Sequence, residues 1–133
     1  MFSKNQVQGQ IKESHVDFDK FDTLIGKNSS FEGTLKASGT IRIDGEVQGE
    51  LLIDGDVYIG ENSRIIGNIS GVNVIISGLV EGNITATDKI KITSNGRLIG
   101  DVSVKSIIVD EDAFFEGRCK MIDRNQLIDN KID

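Results

Sequence analysis

The sequence predicts an all-β fold, a single right-handed parallel β-helix of about six triangular coils with flexible tails, and three observations carry this expectation. The unit apolar-x-Gly-x-apolar recurs six times at a nearly constant spacing. A second element, a hydrophobic triplet, recurs between those units with the same period. Glycine turns separate the two, with 15 Gly and no Pro in the chain, while its large apolar residues are mainly Ile, Val and Leu and only 5% of residues are aromatic. Short β-branched strands broken by glycine are what this mixture supports.

The glycine units are Phe31-x-Gly33-x-Leu35, Val47-x-Gly49-x-Leu51, Ile65-x-Gly67-x-Ile69, Val80-x-Gly82-x-Ile84, Leu98-x-Gly100-x-Val102 and Phe115-x-Gly117-x-Cys119. Successive glycines lie 16, 18, 15, 18 and 17 residues apart. Each unit continues with a period of two through Ala37, Ile53, Gly71, Ala86, Val104 and Met121, the alternation of a strand with one face inward. The triplets are Ile41-Arg42-Ile43, Val57-Tyr58-Ile59, Val74-Ile75-Ile76, Ile90-Lys91-Ile92 and Ile107-Ile108-Val109. Turn dipeptides fill the gaps at Ser38-Gly39, Asp44-Gly45, Asp54-Gly55, Ser77-Gly78 and Asn95-Gly96.

Asp-Gly and Asn-Gly between alternating strands are also hairpin signals, so an antiparallel sandwich is the competing fold. A sandwich has no reason to repeat one pattern six times, whereas a coil stacked on its own copy places like residues over like. About 17 residues per coil at about 3.3 Å each give a perimeter near 56 Å, a triangle with faces of about 19 Å. Six coils about 4.8 Å apart make a rod of about 29 Å. A left-handed hexapeptide helix needs an apolar residue at every sixth position, and the drifting spacing does not hold that register. Right-handedness follows the general sense of parallel β-connections.

The net charge of -6 and pI near 4.8 argue against a nucleic-acid partner. One cysteine, Cys119, forms no internal disulfide, and the start MFSKNQVQGQ lacks the apolar stretch of a secretory signal. A cytoplasmic location is expected, so the sequons at Asn28, Asn68 and Asn83 carry no glycosylation meaning. No apolar run reaches a membrane span, and any membrane contact is peripheral.

Active-site chemistry finds little purchase. A β-helical acyltransferase or carbonic anhydrase depends on histidine as base or zinc ligand, and the one histidine, His15, falls in the N-terminal tail. The phosphate-binding GxxxxGK[ST] pattern, HExxH and GxSxG are absent, so no nucleotide, cofactor or metal is expected. Asp17, Asp19 and Asp22 lack the glycine and terminal glutamate of a calcium loop, and Asp110, Glu111 and Asp112 read as a solvated turn. Cys119, at an inward position, is expected to be a buried small hydrophobe. The outward residues after the repeat glycines, Thr34, Glu50, Asn68, Asn83, Asp101 and Arg118, form no threonine array for ice binding.

The ends of the stack carry the functional expectation. An end coil exposes apolar side chains and unpaired backbone groups, and no convincing cap is present. Leu24, Ile25 and Phe31 lie in the first coil and Phe114, Phe115 and Met121 in the last; no phenylalanine falls between Phe31 and Phe114. These six residues are the candidate polymerisation surface, and the partner is another copy of the chain. The alternative is a monomeric, capped binding module in which Phe114 and Phe115 plug the core.

The opening TLIGKNSSFEGTL, the coil IRIDGEVQGEL and the closing DAFFEGRCKM resemble the bactofilins, bacterial polymer-forming cytoskeletal proteins, over Thr23 to Met121. The resemblance implies a right-handed β-helix over 23–121, nucleotide-independent nonpolar filaments, a place at the inner membrane and a scaffold role in cell shape or enzyme placement. Residues 1–22 are expected to be a disordered tail. Its Met1, Phe2 and Lys4, with Lys12, resemble the membrane-targeting peptide of many bactofilins. Residues 122–133 are expected to be a flexible C-terminal tail, with Ile128 and Ile132 one helical turn apart.

Overall fold

The computed structural model describes residues 21–122, and every described element is a strand. Twelve strands run in chain order: β1 (Thr23–Ile25), β2 (Ser30–Ser38), β3 (Ile41–Ile43), β4 (Glu46–Asp54), β5 (Asp56–Ile59), β6 (Arg64–Ile76), β7 (Leu79–Glu81), β8 (Ile84–Ile92), β9 (Arg97–Ile99), β10 (Val102–Val109), β11 (Phe114–Glu116) and β12 (Cys119–Met121). All pairings are parallel. The chain is a parallel β-solenoid of about six turns.

Each coil has three faces. The first face stacks the triplets, with Ile41 against Val57, Val57 against Val74, Val74 against Ile90 and Ile90 against Ile107. Beneath Ile41 lies Thr23, a sixth copy that the hydrophobic pattern concealed because a threonine occupies its first place. The second face stacks Phe31, Val47, Ile65, Val80, Leu98 and Phe115. The third stacks Leu35, Leu51, Ile69, Ile84, Val102 and Cys119, with Ala37, Ile53, Gly71, Ala86, Val104 and Met121 two residues on.

Between the second and third faces runs a ladder of glycines, with Gly33, Gly49, Gly67, Gly82, Gly100 and Gly117 all at φ between 133° and 148°. L-residues rarely adopt that backbone, and a Cβ at Gly49 would collide with the carbonyl oxygen of Gly33 below it. The corner therefore requires glycine in each coil, which is why the residue recurs in all six units of the sequence.

The other two corners explain the drifting period. Between the first and second faces the chain uses four residues, as at Gly60–Ser63 and Thr93–Gly96, or only two, at Asp44–Gly45 and Ser77–Gly78. Between the third face and the next coil it uses three or two residues, and the strand registers shift at those places, between Gly71 and Asn73 and between Val104 and Ser106. The faces stay constant in length while the corners absorb every insertion.

The core consists of the inward columns. Nineteen hydrophobic residues are buried, all between Ile41 and Val104, and they form one continuous cluster. Ser63 is the one buried polar residue among those described, and its hydroxyl donates to the carbonyl of Gly45 at 3.0 Å. That bond supplies the partner a buried hydroxyl requires.

Candidate assembly surfaces

The middle coils are covered from both sides, whereas among the described residues each terminal coil has a neighbour on one side only. At the N-terminal end Ile25, Phe31, Leu35 and Ala37 continue the inward columns but remain partly exposed. At the C-terminal end Ile107, Ala113 and Phe115 are half-buried, while Val109 is 47% exposed and Met121 51% exposed. Each stacks on a residue the solenoid fully covers: Val109 on Ile92, Phe115 on Leu98 and Met121 on Val104.

Ile25, Phe31, Phe115 and Met121 thus stand at the open ends. Leu24 and Phe114 do not face along the rod. Leu24 pairs with outward Arg42 and lies on the flank of the first face. Phe114 pairs with Arg97, whose guanidinium carbon sits 5.1 Å from the centre of the phenylalanine ring, a cation–π contact on the outer flank. Phe115 alone enters the core from that strand, because neighbouring strand residues point to opposite faces.

Leu35, Ala37, Ile107, Val109 and Cys119 join the terminal surfaces although none was singled out for assembly from the sequence. Their signal was in the repeat itself: each is the first or last member of an inward column.

Cys119 is corrected by the structure. It takes the inward position expected of it, over Val102, yet it is exposed because among the described residues no coil lies above β12. Its thiol lies 3.7 Å from the sulfur of Met121, and partial burial raises its pKa above the ordinary value. At neutral pH it is a thiol rather than a thiolate, and so a weak nucleophile.

A polar ladder climbs the outside of the glycine corner. The N–H of Asn83 donates to Oδ1 of Asn68, that of Asp101 to Oδ1 of Asn83, and that of Arg118 to Oδ1 of Asp101. The Arg118 guanidinium closes it with an ion pair to Asp101 at 3.1 Å, and its side-chain hydrogen bond holds the Asp101 carboxyl below its usual pKa. At the other end of the second face, the first corner carries Asp110, Glu111 and Asp112, the last at φ 73°.

At its start the described chain enters from the flank. Asp22 Oδ2 accepts from the Thr40 N–H at 2.8 Å, and the ring of Phe21 packs edge-on against Tyr58 with centroids 5.5 Å apart. Both residues, read from sequence as part of the tail, are anchored to the body. Met1, Phe2, Lys4, Lys12, His15, Asp17 and Asp19 lie outside the described residues, as does 123–133. Among the described residues no cluster of three His, Cys, Asp or Glu side chains suits a metal ion, and no helix is long and apolar enough to cross a membrane.

Comparison with known proteins agrees with this architecture. A family described as "Bactofilin: Polymer-forming cytoskeletal" matches residues 23–120. The bactofilin of Thermus thermophilus, reconstructed as double helical filaments, is 30% identical with a TM-score of 0.70, the match covering 73% of this chain and 96% of that one. A phenylalanine-to-arginine mutant of the Thermus thermophilus bactofilin, a crystal structure, is 30% identical with a TM-score of 0.63, over 65% of this chain and 97% of that one. The cytoskeletal bactofilin BacA, solved by solid-state NMR, is 27% identical with a TM-score of 0.65, over 76% of this chain and 96% of that one. No curated protein matches the chain. With the family pattern spanning the whole described solenoid, this chain belongs to the bactofilins, a family of polymer-forming cytoskeletal proteins.

Proposed function

We propose that the chain is a structural scaffold that polymerises end to end, without nucleotide, into nonpolar filaments lying against the cytoplasmic side of the inner membrane. The observation that carries the reading is the contrast between covered and open coils. Residues of the inward columns are fully buried from Ile41 to Val104, while Val109 and Met121 in the same columns stand about half exposed. Burying such terminal surface is worth roughly 25 cal/mol per Å². Adding a subunit also continues the backbone ladder, which among the described residues stops at β1 and β12.

Kinship with a protein that forms double helical filaments supports polymerisation of this chain. The membrane part of the reading rests on Met1, Phe2 and Lys4. One buried aromatic contributes about 1.5–3 kcal/mol and one lysine near anionic lipid about 1 kcal/mol, so a single copy binds weakly. A filament presents many copies and converts weak contacts into avidity. Phe21 packs on the flank against Tyr58, so the described chain begins beside the rod and not across its open end.

Negative-stain microscopy of the purified full chain, with and without ATP or GTP, tests the reading. Filaments are expected in both samples; filaments only with nucleotide, or none at all, contradict it. Image reconstruction decides polarity, with alternating subunit direction expected.

A further inference from the structure

The C-terminal coil is not equivalent on its three sides. Among the residues of its strands, the first face offers two that point inward, Ile107 and Val109; the second offers one, Phe115, with the small corner residue Ala113 packed before it; the third offers two, Cys119 and Met121. When two such ends meet about a twofold axis, one face meets itself reversed and the other two exchange. Only an axis over the second face matches two inward residues with two and one with one. An axis over either other face sets a single phenylalanine against a pair.

Charge selects the same arrangement independently. The first corner holds Asp110, Glu111 and Asp112, and the glycine corner holds Arg118, whose side chain is 89% exposed. An axis over the third face puts the acidic corner on its own copy. An axis over the first face puts Arg118 on Arg118. An axis over the second face brings each acidic corner to the Arg118 corner of the other copy, and the guanidinium has donors beyond those it gives Asp101.

Resting on the nonpolar end-to-end reading above, we infer that the C-terminal junction is a second copy of this chain docked about a twofold axis through Phe115, with Val109 against Cys119 and Ile107 against Met121 of the second copy, and the acidic first corner paired with Arg118. The junction thereby has one rotational register, and the charged corners set it.

Cys119, the chain's single cysteine, makes the register measurable. Stacked strands lie about 4.7–4.9 Å apart, within the Cα separation a disulfide tolerates, whereas two Cys119 residues of the proposed junction lie on different sides of the rod. Filaments of the wild type and of Val109→Cys, Met121→Cys and Leu35→Cys are checked by microscopy, oxidised mildly, run on non-reducing gels and mapped by mass spectrometry. Val109→Cys is expected to give a 109–119 linked dimer, lost on adding Cys119→Ser, while the wild type gives none. A 119–121 intermolecular link points to an axis over the third face, and a 35–119 link to a polar head-to-tail junction; either overturns the inference. Should Val109→Cys fail to fold, Ile107→Cys with Met121→Cys in a Cys119→Ser chain asks the same question, with a 107–121 link expected. Filaments without any of these links overturn the register and leave the filament reading standing. Absence of filaments from the wild type overturns both.

Discussion

Phe115 stacks directly on Leu98 in one inward column, and while Leu98 is fully buried, Phe115 stays partly exposed. The coil containing Phe115 is what covers Leu98. Nothing in the described chain does the same for Phe115, and a second molecule is the natural cover.

Phe115→Arg is expected to abolish filaments while leaving the solenoid folded. In the monomer the arginine reaches water at the open end, but in a filament its charge is buried at the junction, a cost of several kcal/mol. Far-UV circular dichroism checks the fold and electron microscopy the polymer; persistent fibres refute this junction.

Gly67→Ala is expected to destabilise the coil by on the order of 3 kcal/mol. Gly67 has φ 145°, and an added Cβ collides with the Gly49 carbonyl oxygen, so both backbone strain and overpacking oppose the change. Urea denaturation in the Phe115→Arg background gives the number without a contribution from assembly. A loss below about 0.5 kcal/mol, the range of an ordinary surface change, contradicts the role assigned to the corner.

Ile90→Ala, at a fully buried position in the fifth coil, is expected to cost about 2–5 kcal/mol in the same assay. Lys91→Ala, one residue along and facing outward, is expected to stay within about 0.5 kcal/mol. Equal effects contradict the inward and outward assignment.

Deletion of residues 1–8 is expected to release filaments from anionic liposomes in a sedimentation assay without preventing polymerisation. Unchanged pelleting with liposomes rejects a membrane role for Met1, Phe2 and Lys4.

Arg118 lowers the Asp101 pKa, so Asp101 binds its proton at lower pH in the folded chain than in the unfolded one. The sign follows from linkage: the stability from this pair is present above the unfolded carboxylate pKa and fades as pH falls through the depressed folded value. Carboxyl NMR titration of the Phe115→Arg monomer is expected to show the Asp101 midpoint rise when Arg118→Ala is added. An unmoved midpoint contradicts the pair.

The fold was legible because each coil must repeat its inward residues, so Ile41, Val57, Val74, Ile90 and Ile107 announce one column. Corner lengths were not. Ser77–Gly78 and Thr93–Gly96 both read as turns, and only the stacked backbone shows that one spans two residues where the other spans four. Thr23 escaped the pattern because in a terminal coil an inward position tolerates a polar residue. For the assembly surface, alternation within β11 separates Phe115 from Phe114 once strand bounds are known, a distinction two adjacent phenylalanines do not make by themselves. Cys119 shows the complementary error: direction was readable from the period, but burial depends on the coil that comes next.

Sedimentation velocity of the purified full chain across a hundredfold concentration range reads end-to-end assembly itself. Large polymers are expected at high concentration, and their loss in Phe115→Arg. A single 14.5 kDa species throughout, in the wild type, contradicts that assembly.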